Sequence, residues 1–285
     1  MSIEVYSAAE PRELLSQAGA WLDAGSQLAL LTLVNIEGNA PYPVGTQMLV
    51  NDQGEYSGQI TGGCAEVALA DQAVALIKSG QNSVERYGLN SKYFDIQLPC
   101  GSGIDVHFDV QKTDENFRSI AQKLDSRQTV IDRIEHAEID FSKTYLPNER
   151  ILIFGEGPIK SALTELARRS GFDVLEVSYA SQKNFESVCD QHTAMVSLFH
   201  EHDKEIELFA LGLKFDLFYF GALGSRNTHA QRLEKLKAKG LNDASLAKIH
   251  GPIGSNIGAV SPSQIAVSIL SEIISVMNQD GRFSN

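Results

Sequence analysis

The chain has 285 residues, 43% of them apolar, and carries 24 basic against 36 acidic side chains for a net charge of −12. That length suits two cores, since single domains commonly run to roughly 100–200 residues. The acidic balance, with no basic stripe, excludes nucleic acid as an expected partner, and no apolar run approaches the ~20 residues of a membrane span, so no membrane partner is expected.

The opening MSIEVYSAAEPREL carries acids where a secretion signal has a basic start and an apolar stretch. Three cysteines, Cys64, Cys100 and Cys189, read as free thiols of a reducing compartment rather than as a disulfide framework. A cytoplasmic protein is expected.

In chain order, residues 12–24 place Leu14, Leu15, Ala18 and Leu22 at helical spacing, with Gly25 as a stop. Residues 27–34 form an apolar, β-leaning run, and GNAPYPVG (38–45) turns it into a second strand at 46–50. A hairpin turn at 51–54 leads to residues 56–60, and TGGCAE opens a helix over 67–77 that ends at Gly80. Strands follow at 84–87 and 104–110, separated by LPCGSG. Residues 1–110 thus read as an α+β domain, and 111–149, charged and weakly periodic, as a linker with one helix at 115–124.

From residue 150 to 285 the texture changes. ILIFG, DVLEV, AMVSLF and DLFYFG are short apolar strands separated by helical segments, the alternation of a Rossmann-like, doubly wound parallel sheet. The fold class is therefore α/β, with an N-terminal α+β domain preceding the Rossmann-like one. The last helix begins with Ser261 as N-cap, Pro262 in the first position and Gln264 where a capping-box side chain reaches back.

Six places are candidates for chemistry. GEGPIK follows the first Rossmann strand; Gly155 and Gly157 match the G-x-G of the dinucleotide fingerprint, but Lys160 stands where the third glycine belongs. After the second strand, VSYA supplies no carboxylate for a ribose. The turn either holds a phosphate or merely joins strand to helix. GALGSR offers Gly224, Ser225 and Arg226 to an anion, with Ser225 as an N-cap in the alternative reading. In TGGCAE, Cys64 stands at a predicted helix N-terminus, which favours a thiolate, and Cys100 lies in the loop PCGSG. Either thiol is a metal ligand or nucleophile, or else a small tolerated residue; Cys189 reads as packing. His250, in a Gly-rich loop, contacts a ligand or packs the loop, and His200 with His202 lacks a third metal ligand.

TGGCAE, LPCGSGIDV, YFGALGSR and IHGPIGSNIGAVSPSQIAVSILSEI, in this order and spacing across both domains, resemble the XdhC/CoxI family of xanthine dehydrogenase accessory factors. The resemblance implies an N-terminal XdhC/CoxI domain, a C-terminal Rossmann domain, and a non-catalytic chaperone that binds molybdenum cofactor (molybdopterin) and serves a molybdenum hydroxylase such as xanthine dehydrogenase. A cysteine desulfurase and a second copy of the chain are further implied partners. By motif, the implied cofactor-binding residues are Gly62, Gly63 and Cys64, then Cys100, Gly101 and Gly103, then Gly224, Ser225 and Arg226, with molybdenum near Cys64 or Cys100. Gly155, Gly157, Lys160 and His250 join them as candidates. The departure at Gly155–Lys160 weighs against NAD(P), whose oxidoreductase chemistry is the alternative reading. Three cysteines cannot ligate even one four-cysteine iron–sulfur cluster, so the chain is not itself expected to be the dehydrogenase.

Overall fold

A computed structural model describes residues 11–92, 101–136, 139–177, 182–199 and 202–279. The chain divides into two compact units, the first ending at Pro147 and the second beginning at Asn148.

In the first unit, helix α1 (Pro11–Asp23) precedes strands β1 (Leu28–Glu37), β2 (Gln47–Asn51) and β3 (Tyr56–Gly58). Helix α2 (Glu66–Ser79) leads to β4 (Ser83–Gly88) and β5 (Gly103–Asp109). These strands form one antiparallel sheet in the order β3-β2-β1-β5-β4. Central β1 is covered on both faces, which is why LALLTL is apolar without alternation. Ala29, Leu31, Leu33, Met48, Val50 and Phe108 pack with α2 on one face; Leu28, Leu30 and Leu49 pack with α1 and Phe117 on the other. Gly80 closes α2 in the left-handed conformation (φ 69°), donating to the carbonyls of Ile77 and Leu76, a geometry a glycine adopts without steric cost.

The segment 111–149 is more than a linker. It holds α3 (Asp114–Asp125), begun by a Thr113/Asn116 capping box, and a hairpin of β6 (Val130–His136) and β7 (Ile139–Tyr145). Both belong to the first unit. The reason lies in a polar row across the sheet: Gln47 and His107 flank Thr32 in register. Gln47 donates to Thr32 Oγ1 (3.0 Å), Tyr145 Oη donates to Gln47 Oε1 (3.0 Å), and the rings of His107 and His136 lie 5.7 Å apart. The hairpin thus covers a row that a strand pattern alone would turn to solvent.

The second unit alternates strands and helices: β8 (Arg150–Gly155), α4 (Pro158–Arg169), β9 (Asp173–Val177), α5 (Gln182–Val188), β10 (Thr193–Leu198), α6 (His202–Gly212), β11 (Tyr219–Ala222), α7 (Arg226–Ala238), α8 (Asp243–Leu246) and α9 (Pro262–Gln279). All four strands are parallel in the order β11-β10-β8-β9. Ile151, Ile153, Ala194 and Val196 face α4 and α9, while Leu152, Phe154, Met195 and Phe220 face the other helices, so β8, β10 and β11 are buried on both sides and only edge strand β9 is half-exposed. The capping expected at α9 is present: Gln264 N–H donates to Ser261 Oγ (3.3 Å), and Gln264 Oε1 accepts from the N–H of Val260 and Ser261. Since β9 lies on one side of β8 and β10 on the other, strand order reverses between β8 and β10. Open α/β sheets bind ligands outside the carboxyl ends of strands at such a point.

Candidate functional site at the carboxyl edge of the parallel sheet

Gly155 ends β8 at this reversal. Its φ is +108°, and a Cβ there would stand 2.6 Å from the carbonyl carbon of Leu198, so β10 can come this close only to a glycine. Gly157 is the N-cap of α4 with φ +99° and open space beside it; its backbone angle, not crowding, selects glycine. Pro158 follows at the start of the helix. Lys160 turns to the neighbouring strand, where its Nζ lies 3.2 Å from Glu176 Oε2, and Arg168 reaches the same carboxylate at 3.6 Å. Residues 178–180, where a ribose-binding carboxylate would stand, lie outside the described residues.

The second loop lies next to the first through the end of β10. Leu223 N–H donates to the carbonyl of Ser197 (2.9 Å), one residue before the Leu198 that Gly155 abuts. Gly224 (φ +146°) passes close to Thr228, and Ser225 caps α7 by accepting from Thr228 N–H (3.1 Å). Arg226 is the first helical residue; it is exposed, and no hydrogen bond or ion pair engages it among the described residues. The loop therefore combines a helix N-terminus with an available guanidinium, the donor set of a phosphate or carboxylate site.

Beneath this loop lies a buried ionic network. Arg232 donates through Nε to Glu205 Oε2 (3.0 Å), and through Nη2 to Glu205 Oε1 (3.2 Å) and the Leu223 carbonyl (2.8 Å). Ser197 Oγ donates to Glu205 Oε1 (2.8 Å). Arg232 Nη1 lies 3.2 Å from His229 Nδ1, and Gly251 is packed so closely on that ring that no side chain fits there. Burial and the Arg232 charge push the pKa of His229 down. One guanidinium thus ties together the end of β10, the Gly224 loop and the segment after His250. Sequence reasoning missed Glu205 and Arg232, because 27 residues separate them and no local pattern joins them.

His250 plays a packing role in this arrangement. Its N–H donates to Phe220 O (2.7 Å), its carbonyl accepts from Ala222 N–H (2.9 Å), and its ring stacks on Tyr219 at 4.7 Å. Tyr219 Oη donates to Glu272 Oε2 (2.5 Å), and His250 Nδ1 lies 3.9 Å from Glu272 Oε1. The ring therefore lies over the first residue of β11 and lines a cavity of about 300 Å³ with Gln191 and Phe218. Of the other histidines weighed, His200 lies outside the described residues and His202 begins α6.

In the first unit, the TGGCAE loop is organised from within. Glu66, 1% exposed, accepts at Oε1 from the N–H of Ile60 (3.0 Å) and Thr61 (2.6 Å). At Oε2 it accepts from Thr61 Oγ1 (2.6 Å), Gly63 N–H (2.8 Å) and Ala65 N–H (3.2 Å). Burial alone raises a carboxyl pKa, but the hydrogen bonds from Thr61 and the neighbouring backbone outweigh it and hold Glu66 below the usual value. Gly62 and Gly63 take φ of +73° and +100°, and Cys64 is left as an exposed free thiol two residues before α2. The role of Glu66 was legible in principle: an acid just after a Gly-Gly turn at a helix start meets unsatisfied N–H groups.

Cys100 lies outside the described residues. Gly101 (φ +62°) adjoins it, and Gly103 begins β5 where a Cβ would stand 2.8 Å from the Leu89 carbonyl. Cys189 is half-buried; burial, reinforced by Asp190, pushes its pKa up to about 12, as fits a packing thiol. No group of three or more His, Cys, Asp or Glu side chains is arranged to hold a metal ion among the described residues, and no helix among them is long and apolar enough to cross a membrane.

Comparison with known proteins matches this two-part architecture. Residues 21–88 match the XdhC and CoxI family and residues 151–273 the XdhC Rossmann domain. The molybdenum cofactor insertion chaperone PaoD of Escherichia coli is 31% identical over 283 residues, covering 93% of this chain and 88% of that protein. A Bacillus subtilis protein described as a probable subunit of xanthine dehydrogenase is 26% identical, covering 90% of this chain and 94% of that one. A crystal structure described as a xanthine dehydrogenase from Bacillus halodurans superposes with a TM-score of 0.77 at 21% identity, over 97% of this chain and 98% of that chain. The fold is thus that of a two-domain protein with a C-terminal Rossmann domain. The chain belongs to the XdhC and CoxI family.

Proposed function

We propose that this protein is a carrier that binds molybdenum cofactor in the cytoplasm and delivers it to a molybdenum hydroxylase of the xanthine dehydrogenase type. The observation that carries the reading is the Gly224–Ser225–Arg226 loop, with an unengaged guanidinium at a helix N-terminus beside the reversal point of the sheet. Such a donor set suits the phosphate of a pterin cofactor. The exposed Cys64 thiol, held on the Glu66-centred loop of the first unit, supplies a ligand of the kind molybdenum accepts. The names of the Escherichia coli and Bacillus subtilis relatives support the same class of cargo and recipient. The protein acts by binding and release, and a cysteine desulfurase and a second copy of the chain are the further partners this reading includes.

The test is metal analysis and pterin fluorescence of protein purified from a molybdenum-replete host, followed by mixing with a cofactor-free hydroxylase. Co-purifying molybdenum and pterin in near-equal amounts, and hydroxylase activity restored on mixing, are expected. Protein free of both, from a host that makes the cofactor, would overturn the reading.

A further inference from the structure

The hairpin of β6 and β7 is held to the first unit by different contacts at its two ends. Where the chain enters and leaves it, Val130 and Tyr145 pack with Ile120 and Leu124 of α3, and Tyr145 Oη donates to Gln47. At the other end His136, paired with Ile139, lies beside His107 of β5 with the rings 5.7 Å apart. We infer that the hairpin is a flap hinged at the Val130–Tyr145 end, and that protonation of His107 lifts its His136 end from the sheet. The inference goes beyond the carrier reading and does not depend on it.

The surroundings of His107 resist a proton. The residue is 3% exposed, and its Nδ1 is buried without a hydrogen-bond partner among the described residues. A charged imidazole has two N–H donors to satisfy. The neighbours in register are Thr32 on β1, whose hydroxyl accepts from Gln47, and the apolar Val84 on β4. The charged groups around the ring are Asp109, Lys112, Asp132 and, when protonated, His136. Lys112 Nζ lies 2.8 Å from Asp132 and 3.7 Å from Asp109, so both carboxylates already share one ammonium. On β7, Lys143 stands 6.0 Å over the Tyr145 ring and adds a cation rather than an acceptor. Farther along this face, Arg86 of β4 and Asp105 of β5 pair with each other. Burial accordingly pushes the pKa of His107 down to about 4, with His136 and Lys112 acting in the same direction and Asp109 and Asp132 opposing them.

The two ends of the hairpin differ in what opening costs. Lifting the Val130–Tyr145 end would strip apolar surface from α3, whereas in the half nearer His136 the buried apolar side chain among the described residues is Ile134. Raising that half exposes Ile134, separates the two imidazoles and gives water to both N–H groups of a protonated His107. Burial of Ile134 holds the flap down at neutral pH, and solvation of the charged ring opposes it in acid.

Amide hydrogen exchange of the full chain, read by mass spectrometry at pH 7.5 and pH 5 with each rate divided by its intrinsic value at that pH, tests the flap. A ring that titrates at 6.5 when lifted and at about 4 when covered changes the open-to-closed ratio about 25-fold between these conditions. Protection of residues 130–136 and 139–145 should fall by about that factor at pH 5, while β1 and β2 stay protected over the same labelling time. His107→Gln should abolish the fall, and His107→Leu is a second replacement that cannot titrate, used where glutamine disturbs folding. Hairpin protection that is the same at both pH values, or a fall that persists in the non-titrating variant, overturns the inference. A loss spread equally over β1, β2 and the hairpin also overturns it, and would leave His107 a determinant of global stability only.

Discussion

The guanidinium of Arg232 and the carboxylate of Glu205 form an ion pair in which both side chains are 1% exposed, and the same guanidinium holds the carbonyl of Leu223 next to Gly224. A buried pair of this kind costs desolvation on both partners, and its net contribution to stability is small or unfavourable compared with apolar residues of similar volume. Its value here is geometric, because only a forked donor reaches Glu205 and Leu223 together.

That argument separates stability from loop placement. Arg232→Met alone should destabilise the protein by about 3–5 kcal/mol, because it strands a buried carboxylate. Glu205→Leu combined with Arg232→Met should recover most of that loss in urea denaturation while still weakening anion binding at Gly224–Arg226. If the double variant bound anions as well as the natural chain, the clamp on Leu223 would have no role in placing the loop.

Glu66 makes a prediction about acid. Its folded pKa lies below the ordinary 4.5, so its stabilising contribution is complete above that value and is lost as pH falls through the lowered folded value. Glu66→Gln should cost about 1–3 kcal/mol at neutral pH, the scale of hydrogen bonds to a charged group. The difference between the two proteins should shrink below pH 4. A difference that stayed constant between pH 7 and pH 3 would show that the charge of Glu66 is not what orders the Cys64 loop.

His107 governs a higher window. It is 3% exposed, its Nδ1 has no hydrogen-bond partner among the described residues, and burial pushes its pKa from 6.5 down to about 4, with Asp109 opposing the shift. His136, Lys112 and Asp132 also act on the ring. The unfolded chain takes up a proton below pH 6.5 that the folded chain resists until about pH 4. Stability should therefore be full above 6.5 and fall by about 3 kcal/mol as pH drops to 4. His107→Leu should flatten this part of the profile in chemical denaturation. An unchanged slope would mean that the ring is solvated by another route.

The parallel sheet was readable because β8, β10 and β11 are buried on both faces and so stand out as short apolar blocks; TAMVSL is buried at every position, whereas edge strand β9 is half-exposed. The cap of α9 was readable because Ser261, Pro262 and Gln264 act on neighbouring backbone. The hairpin over the first sheet was not, since Thr32, Gln47 and His107 look like solvent-facing positions until Tyr145 and His136 cover them. The strand expected from residue 216 begins only at Tyr219, because the ladder with β10 starts where Ala194 meets Tyr219. At the site, the glycines announced both loops. Which loop offers a free cation depended on where Lys160 and Arg226 turn, and that follows from tertiary neighbours rather than spacing.

The thiols give the last prediction. Cys64 is exposed on a loop whose backbone is fixed by Glu66, whereas Cys189 is half-buried with its thiol pKa raised to about 12. Only a thiolate attacks an alkylating reagent or ligates a metal, so at pH 8 Cys189 is almost wholly in the unreactive form. In a Cys100→Ser background, iodoacetamide should label Cys64 at least tenfold faster than Cys189, read by peptide mass spectrometry. The same contrast should appear in function: Cys64→Ser should lower the molybdenum retained on purification, and Cys189→Ser should leave it unchanged. Ser keeps the size of the side chain while removing the soft donor, so a loss confined to Cys64→Ser reports ligation rather than packing. Equal retention in the two variants would remove Cys64 from the metal's surroundings and leave its loop a structural feature of the first unit.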